Sequence, residues 1–198
     1  MAISKKVTKM MYDDSIATDG MLFESILSSK NAIINSVNTI WKPEVPNKFV
    51  TELPIDVRGR YGEYIVKNIL NNYKTATDVI EYYEGIQGDW DVKFNNIRIE
   101  VKTSTLDNQG KFQNENIKKF KLHTEELNPY DILVLIGISP YNYHYKIVRY
   151  DEIDFSLLHN RGTAGTGAAY KWDFQYYKYN LLTNEKNFYE DFLIASKG

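Results

Sequence analysis

Apolar positions along the chain recur with two periods, and the switches between them predict its elements. Between residues 55 and 73, Val66, Ile69, Leu70 and Tyr73 follow the i, i+3, i+4, i+7 spacing of a helix with one buried stripe. Gly62 lies one turn before Val66, where a missing side chain lets another element pack close, and Glu63 stands at the stripe's edge. An earlier helix, from Asp19 or Ser25 to about Trp41, is expected from a looser apolar pattern. The three prolines within 42–54 mark a linker. Residues 78–84 read as a strand and 103–112 as a polar loop. Residues 113–127 read as a second helix, with Ile117, Phe120, Thr124 and Leu127 at helical spacing and Asn128-Pro129 as its stop. The nearly continuous apolar run 131–139 predicts a strand buried on both faces, and 143–150 a further strand. Farther on, the glycine-rich run 160–169 is expected to be a mobile loop, 170–179 a strand and 188–195 a short helix.

The stretch 88–104 alternates with period 2 on both sides of Asn95-Asn96, a good two-residue turn because asparagine tolerates positive φ. In that register Phe94 pairs with Ile97, Asp91 faces Glu100, and Asp89 faces Lys102. Opposed residues share a side of a sheet. One face then holds Trp90, Val92, Phe94, Ile97, Ile99 and Val101, all apolar. The other holds Asp89, Asp91, Lys93, Arg98, Glu100 and Lys102. A solvated surface with cross-strand ion pairs is the simplest account of the charged face. Two features argue for more. Asp91 opposite Glu100 sets like charges together, which a cation or a proton must offset. Glu63 at the edge of a buried stripe also needs a partner.

Composition narrows the chemistry. A chain of 198 residues is ample for a real core and suggests one domain, 1–198. It has no cysteine, so thiol nucleophiles and disulfides are excluded. No apolar run approaches the roughly 18–20 residues of a membrane helix, and the N-terminus lacks a signal-peptide pattern. A cytoplasmic, non-membrane protein is expected. His123, His144 and His159 have no zinc spacing and are expected at the surface or on a helix. The GTAGTG run lacks the Lys-Ser/Thr of a phosphate loop. Net charge −2 argues against a basic coat, but a local basic surface can coexist with an acidic site. Lys118, Lys119 and Lys121, and the aromatic–cation run 170–179, are candidates for such a surface.

Asp91, an eight-residue gap, then Glu100-Val101-Lys102, resembles the PD-(D/E)XK nuclease motif, and the order α-β-β-β-α-β around it resembles that superfamily's restriction-endonuclease-like core. The resemblance covers about 54–150. It implies an α/β fold, a mixed β-sheet flanked by helices, with an N-terminal helical segment at 1–53. Residues 151–198 would then be available for DNA recognition or dimerisation. By resemblance, Asp91, Glu100 and the Val101 carbonyl would bind Mg²⁺, Lys102 would serve the nucleophilic water, and Glu63 matches the carboxylate many members carry on the first helix. Gln113, Lys118, Lys119 and Lys171 are candidate DNA contacts. Trp90 stands where the motif's proline is expected, and Asp89 offers a competing acid. The implied protein is a Mg²⁺-dependent, sequence-specific endonuclease of double-stranded DNA, a type II restriction enzyme working as a homodimer. A junction resolvase or repair endonuclease of the same fold, a non-catalytic DNA-binding module, and a plain surface charge cluster are the alternatives.

Overall fold

The computed structural model describes residues 40–82, 90–120, 128–164 and 167–197. The chain divides into two compact units, 1–42 and 43–198, and the architecture below is that of the second. The expected helix before Trp41 lies outside the described residues. The proline-rich linker carries one short helix, α1 (Lys48–Glu52), and α2 follows at Ile55–Tyr73. Strands β1 (Ile80–Tyr82), β2 (Val92–Phe94), β3 (Ile97–Thr105), β5 (Ile132–Ile138), β6 (Tyr143–Arg149) and β9 (Asn180–Leu181) form one sheet in the order β1-β2-β3-β5-β6-β9. Strands β4 (Lys111–Phe120), β7 (His159–Ala164) and β8 (Gly167–Gln175) form a second sheet, ordered β4-β8-β7. Helix α3 (Glu185–Ser196) closes the chain. The fold is mixed α/β, a multi-stranded mixed sheet flanked by helices, as expected.

In the main sheet only β3 and β5 run parallel. The Arg98–Asp131 pair fixes where they start together. The guanidinium donates twice to the Asp131 carboxylate, at 2.8 and 3.1 Å, and the Arg98 backbone N–H adds a third bond. Every residue of β5 is buried, because strands cover both its edges and packed layers cover both its faces.

Side-chain alternation then assigns the layers. Helices α2 and α3 cover the face of Val92, Phe94, Ile99 and Thr103. Phe94 meets Phe192 edge-on at 5.4 Å, and Tyr145 meets Phe188 at 5.0 Å. Gly62 brings α2 against β3, where a Cβ in its place would lie 1.8 Å from Thr103 Oγ1. The opposite face of the sheet carries Leu133 and Leu135. These join a core with Phe112, Ile117, Tyr130 and Trp172, so the second sheet covers that face. Phe112 lies flat over Gly137, leaving no room there for a side chain.

Two expectations are corrected. Residues 113–120 form most of β4, not the start of a helix, and 121–127 lie outside the described residues. The cause is a β-bulge between Asn114 and Ile117, with Asn116 at φ 59°. The extra residue turns a spacing of two into three, so the buried Phe112, Asn114 and Ile117 depart from the strict alternation that marks a strand. The glycine-rich run at 160–169 is mostly strand as well, paired across β7 and β8. Glycine and alanine are weak strand signals, so composition alone does not distinguish such a hairpin from a loop. In addition, β3 runs on to Thr105, three residues into the expected loop.

Gly62→Ala should lower stability by about 1–3 kcal/mol, because Thr103 sits on a strand that cannot retreat. Urea denaturation monitored by tryptophan fluorescence measures this. An unchanged midpoint would show that α2 and β3 are not packed this closely.

Candidate active site

The predicted register holds from Phe94↔Ile97 through Val92↔Ile99, with Asn95 at φ 55° in the turn. It ends there. Strand β2 stops at Val92, so beyond Ile99 no strand among the described residues lies along this edge of β3. Asp91 brackets Glu100, bonding to the residues on either side of it. The Asp91 N–H donates to the Ile99 carbonyl at 2.9 Å, and its Oδ2 accepts from the Val101 N–H at 2.8 Å. The carboxylate thus takes the place of backbone on this edge and sets its charge beside Glu100. A residue's N–H and C=O point to the same edge of a strand, so the Val101 carbonyl also turns toward this open edge.

Glu100 is almost wholly buried, with 4% of its surface exposed, and its Oε1 pairs with the Lys102 ammonium. Burial, and after it the Asp91 charge, push the Glu100 carboxyl up from an ordinary 4.5 to about 7 against the pull of Lys102 and Lys118. Burial works to discharge Lys102, but Glu100, Asp91 and Glu63 outweigh it and hold the ammonium above its ordinary value. From α2, Glu63 joins the group. Burial and the Asp91 charge raise its carboxyl, while the Tyr82 hydroxyl donates to its Oε2 at 2.9 Å and lowers it. The fold therefore gathers Glu63, Asp91, Glu100 and Lys102 around one strand edge. Asp89 lies outside the described residues, so its competing role stays an expectation.

The candidate DNA contacts separate. Lys118 acts on Glu100 electrostatically, whereas Lys119 lies over the Phe155 ring at 4.9 Å. Gln113 and Lys171 meet across the second sheet, where Lys171 donates to the Gln113 amide oxygen and Gln113 donates to Asp107. His144 is buried against Phe112 and Ser139, not at the surface, and its ring is held below its usual pKa by that burial. His159 is exposed on β7, and His123 lies outside the described residues.

Two tyrosines near the site had no assigned role in the sequence. Tyr82 reaches Glu63 from β1. Tyr130 is wholly buried and within electrostatic reach of Glu100; burial first, and then that charge, raise its hydroxyl well above the ordinary value. The only signal for Tyr82 was its phase in the strand, two residues after Ile80.

Metal fit rests on the donor set. Mg²⁺ needs only one or two carboxylates because it keeps several waters. Asp91 and Glu100, beside the Val101 carbonyl, meet that need. No group of three histidine, aspartate or glutamate side chains among the described residues is placed to form an all-protein cage. No helix among the described residues is long and apolar enough to cross a membrane.

No protein-family model and no curated protein matches the sequence. Among solved structures, the chain is similar to a bacterial homing endonuclease, I-Ssp6803I. The two are 12% identical over 60% of this chain and 76% of that one, with a TM-score of 0.39. A likeness of that degree does not carry an activity from one chain to the other.

Glu100 titrates higher folded than unfolded, so its contribution to stability is full below pH 4.5 and is lost as pH rises through about 7. Lys102 stays charged throughout that window. Between pH 5 and pH 7.5, Glu100→Gln should therefore gain on the wild type by on the order of 1–3 kcal/mol. Urea midpoints at the two pH values test this, and an equal difference at both would mean that Glu100 is not held near 7.

Proposed function

We propose that this protein is a Mg²⁺-dependent endonuclease that hydrolyses phosphodiesters of double-stranded DNA, with the PD-(D/E)XK arrangement of a type II restriction enzyme. The observation that carries this reading is the buried Glu100–Lys102 pair at an open strand edge, with Asp91 and Glu63 turned on it. Surface ion pairs are solvated and contribute little. A buried carboxylate crowded by two others is costly, and the cost is offset when a cation and a phosphate complete the site.

Each residue has a part in this reading. Asp91 and Glu100 would hold the metal with the Val101 carbonyl. When bound, Mg²⁺ supplies a water of lowered pKa and offsets charge on the phosphate. Lys102, beside Glu100, would orient the attacking water and stabilise the charge that builds on the phosphate oxygens. Glu63, fixed by Tyr82, orders water beside the metal. Lys118, Gln113 and Lys171 contact the duplex, but Lys119, committed to Phe155, contributes less. A twofold dimer suits cleavage of both strands at a symmetric site, and a cytoplasmic location suits a cysteine-free nuclease of this kind.

Purified protein incubated with unmethylated phage DNA and Mg²⁺ should give discrete bands that EDTA abolishes. Lys102→Ala should cut at least 10²-fold more slowly, the scale of lost acid–base catalysis. Intact DNA under every condition, with branched DNA also left whole, would contradict the endonuclease reading.

A further inference from the structure

Helix α2 has a second stripe that the core does not use. Val66, Ile69 and Leu70 are buried against the sheet. Arg60, Tyr64 and Lys67, at i, i+4 and i+7, lie on the side turned to solvent, with Arg60 and Tyr64 exposed and Lys67 half-buried. Glu63, at i+3, stands at the border between the two stripes. The second stripe therefore begins where the candidate site ends.

Its cations are placed, not scattered. Lys67 Nζ lies 4.1 Å from the centre of the Tyr82 ring and 5.7 Å from that of Tyr64, and the two rings lean on each other at 5.8 Å. The same Tyr82 donates its hydroxyl to Glu63. One aromatic ring thus fixes a site carboxylate with its edge and a lysine with its face. Arg60 acts on Glu63 from one turn earlier. Among the described residues neither Arg60 nor Lys67 is in a salt bridge, although Asp56 stands one turn before Arg60. Lys74, farther along the helix, is drawn to Asp78 and lies outside this patch. Arg60 and Lys67 are seven residues apart, or about 10 Å along the helix. That separation suits contacts with two phosphates of one strand and is too long for a single small anion.

We infer that the Arg60–Tyr64–Lys67 face of α2, with Tyr82 beneath it, is a docking surface for the phosphate backbone of duplex DNA flanking the scissile phosphate. This rests on the endonuclease reading and adds a second contact region, on a different element from the β4 and β8 residues. The partner is a polyanion that runs past the site: Arg60 and Lys67 stand about one turn to either side of Glu63 along α2, and the exposed Tyr64 ring covers sugar between the phosphate contacts.

The test is the salt dependence of binding to a fluorescent duplex containing the cleavage site, measured in EDTA so that the duplex stays whole. Each phosphate contact adds about 0.9 to the slope of log K against log salt. The double substitution Arg60→Gln with Lys67→Gln should reduce the slope by about 1.8, and Arg60→Lys with Lys67→Arg should restore it. Wild-type far-UV circular dichroism in both variants checks that α2 is intact. A slope unchanged by Arg60→Gln with Lys67→Gln, in a protein whose wild type binds and cuts, would overturn the α2 surface and leave the endonuclease reading standing. A wild type that neither binds nor cuts duplex would overturn both.

Discussion

A carboxylate that is almost out of reach of water governs this structure. Glu100 sits on the central strand β3 with its ion-pair partner, Lys102, two residues along on the same face. Such a pair is poor value as a stabilising device, since desolvation of two ions can exceed their attraction. The surrounding elements make sense as the frame that keeps it in place. Strand β5 presses Leu133 and Leu135 beside the pair, the second sheet roofs that face, and α2 closes in on the other side of β3 because Gly62 has no side chain.

The open edge of β3 follows from the same frame. If β2 were longer, it would satisfy the Val101 N–H with backbone and shut the edge. It stops at Val92, and the Asp91 side chain takes over. One carboxylate thus terminates the ladder and adds negative charge beside Glu100. The two roles are linked, because the bond to Val101 sets where the Asp91 charge lies. Tyr82 links the next pair, joining Glu63 at the site to Lys67 on the outer face of α2.

Much of this was legible in the sequence. The hairpin register could be read because a two-residue Asn-Asn turn leaves no freedom once one face is apolar and the other charged. Gly62 declared itself by its place one turn before a buried stripe. The second sheet was hidden because the bulge at Asn116 breaks the strand's alternation between Asn114 and Ile117. Its partner strand carries glycine and alanine at positions where side-chain alternation would have shown the pairing. Asp91 was legible as a neighbour of Glu100, but its side-chain bond to the Val101 N–H was not. Hairpin arithmetic assumes that the ladder continues, and a side chain that replaces the ladder leaves no periodic trace. The Tyr82–Glu63 bond depends on β1 pairing with β2, a contact that no local pattern encodes.

The central claim is that Asp91 and Glu100 form a cation site at the open edge of β3. It is tested most directly by titrating Mn²⁺ into isotopically labelled protein without DNA and following paramagnetic broadening by NMR. The account predicts that the amides of Asp91, Glu100, Val101 and Lys102 broaden first, and that Asp91→Asn with Glu100→Gln abolishes this selectivity. Broadening spread evenly over surface carboxylates, or unchanged in the double variant, would contradict it.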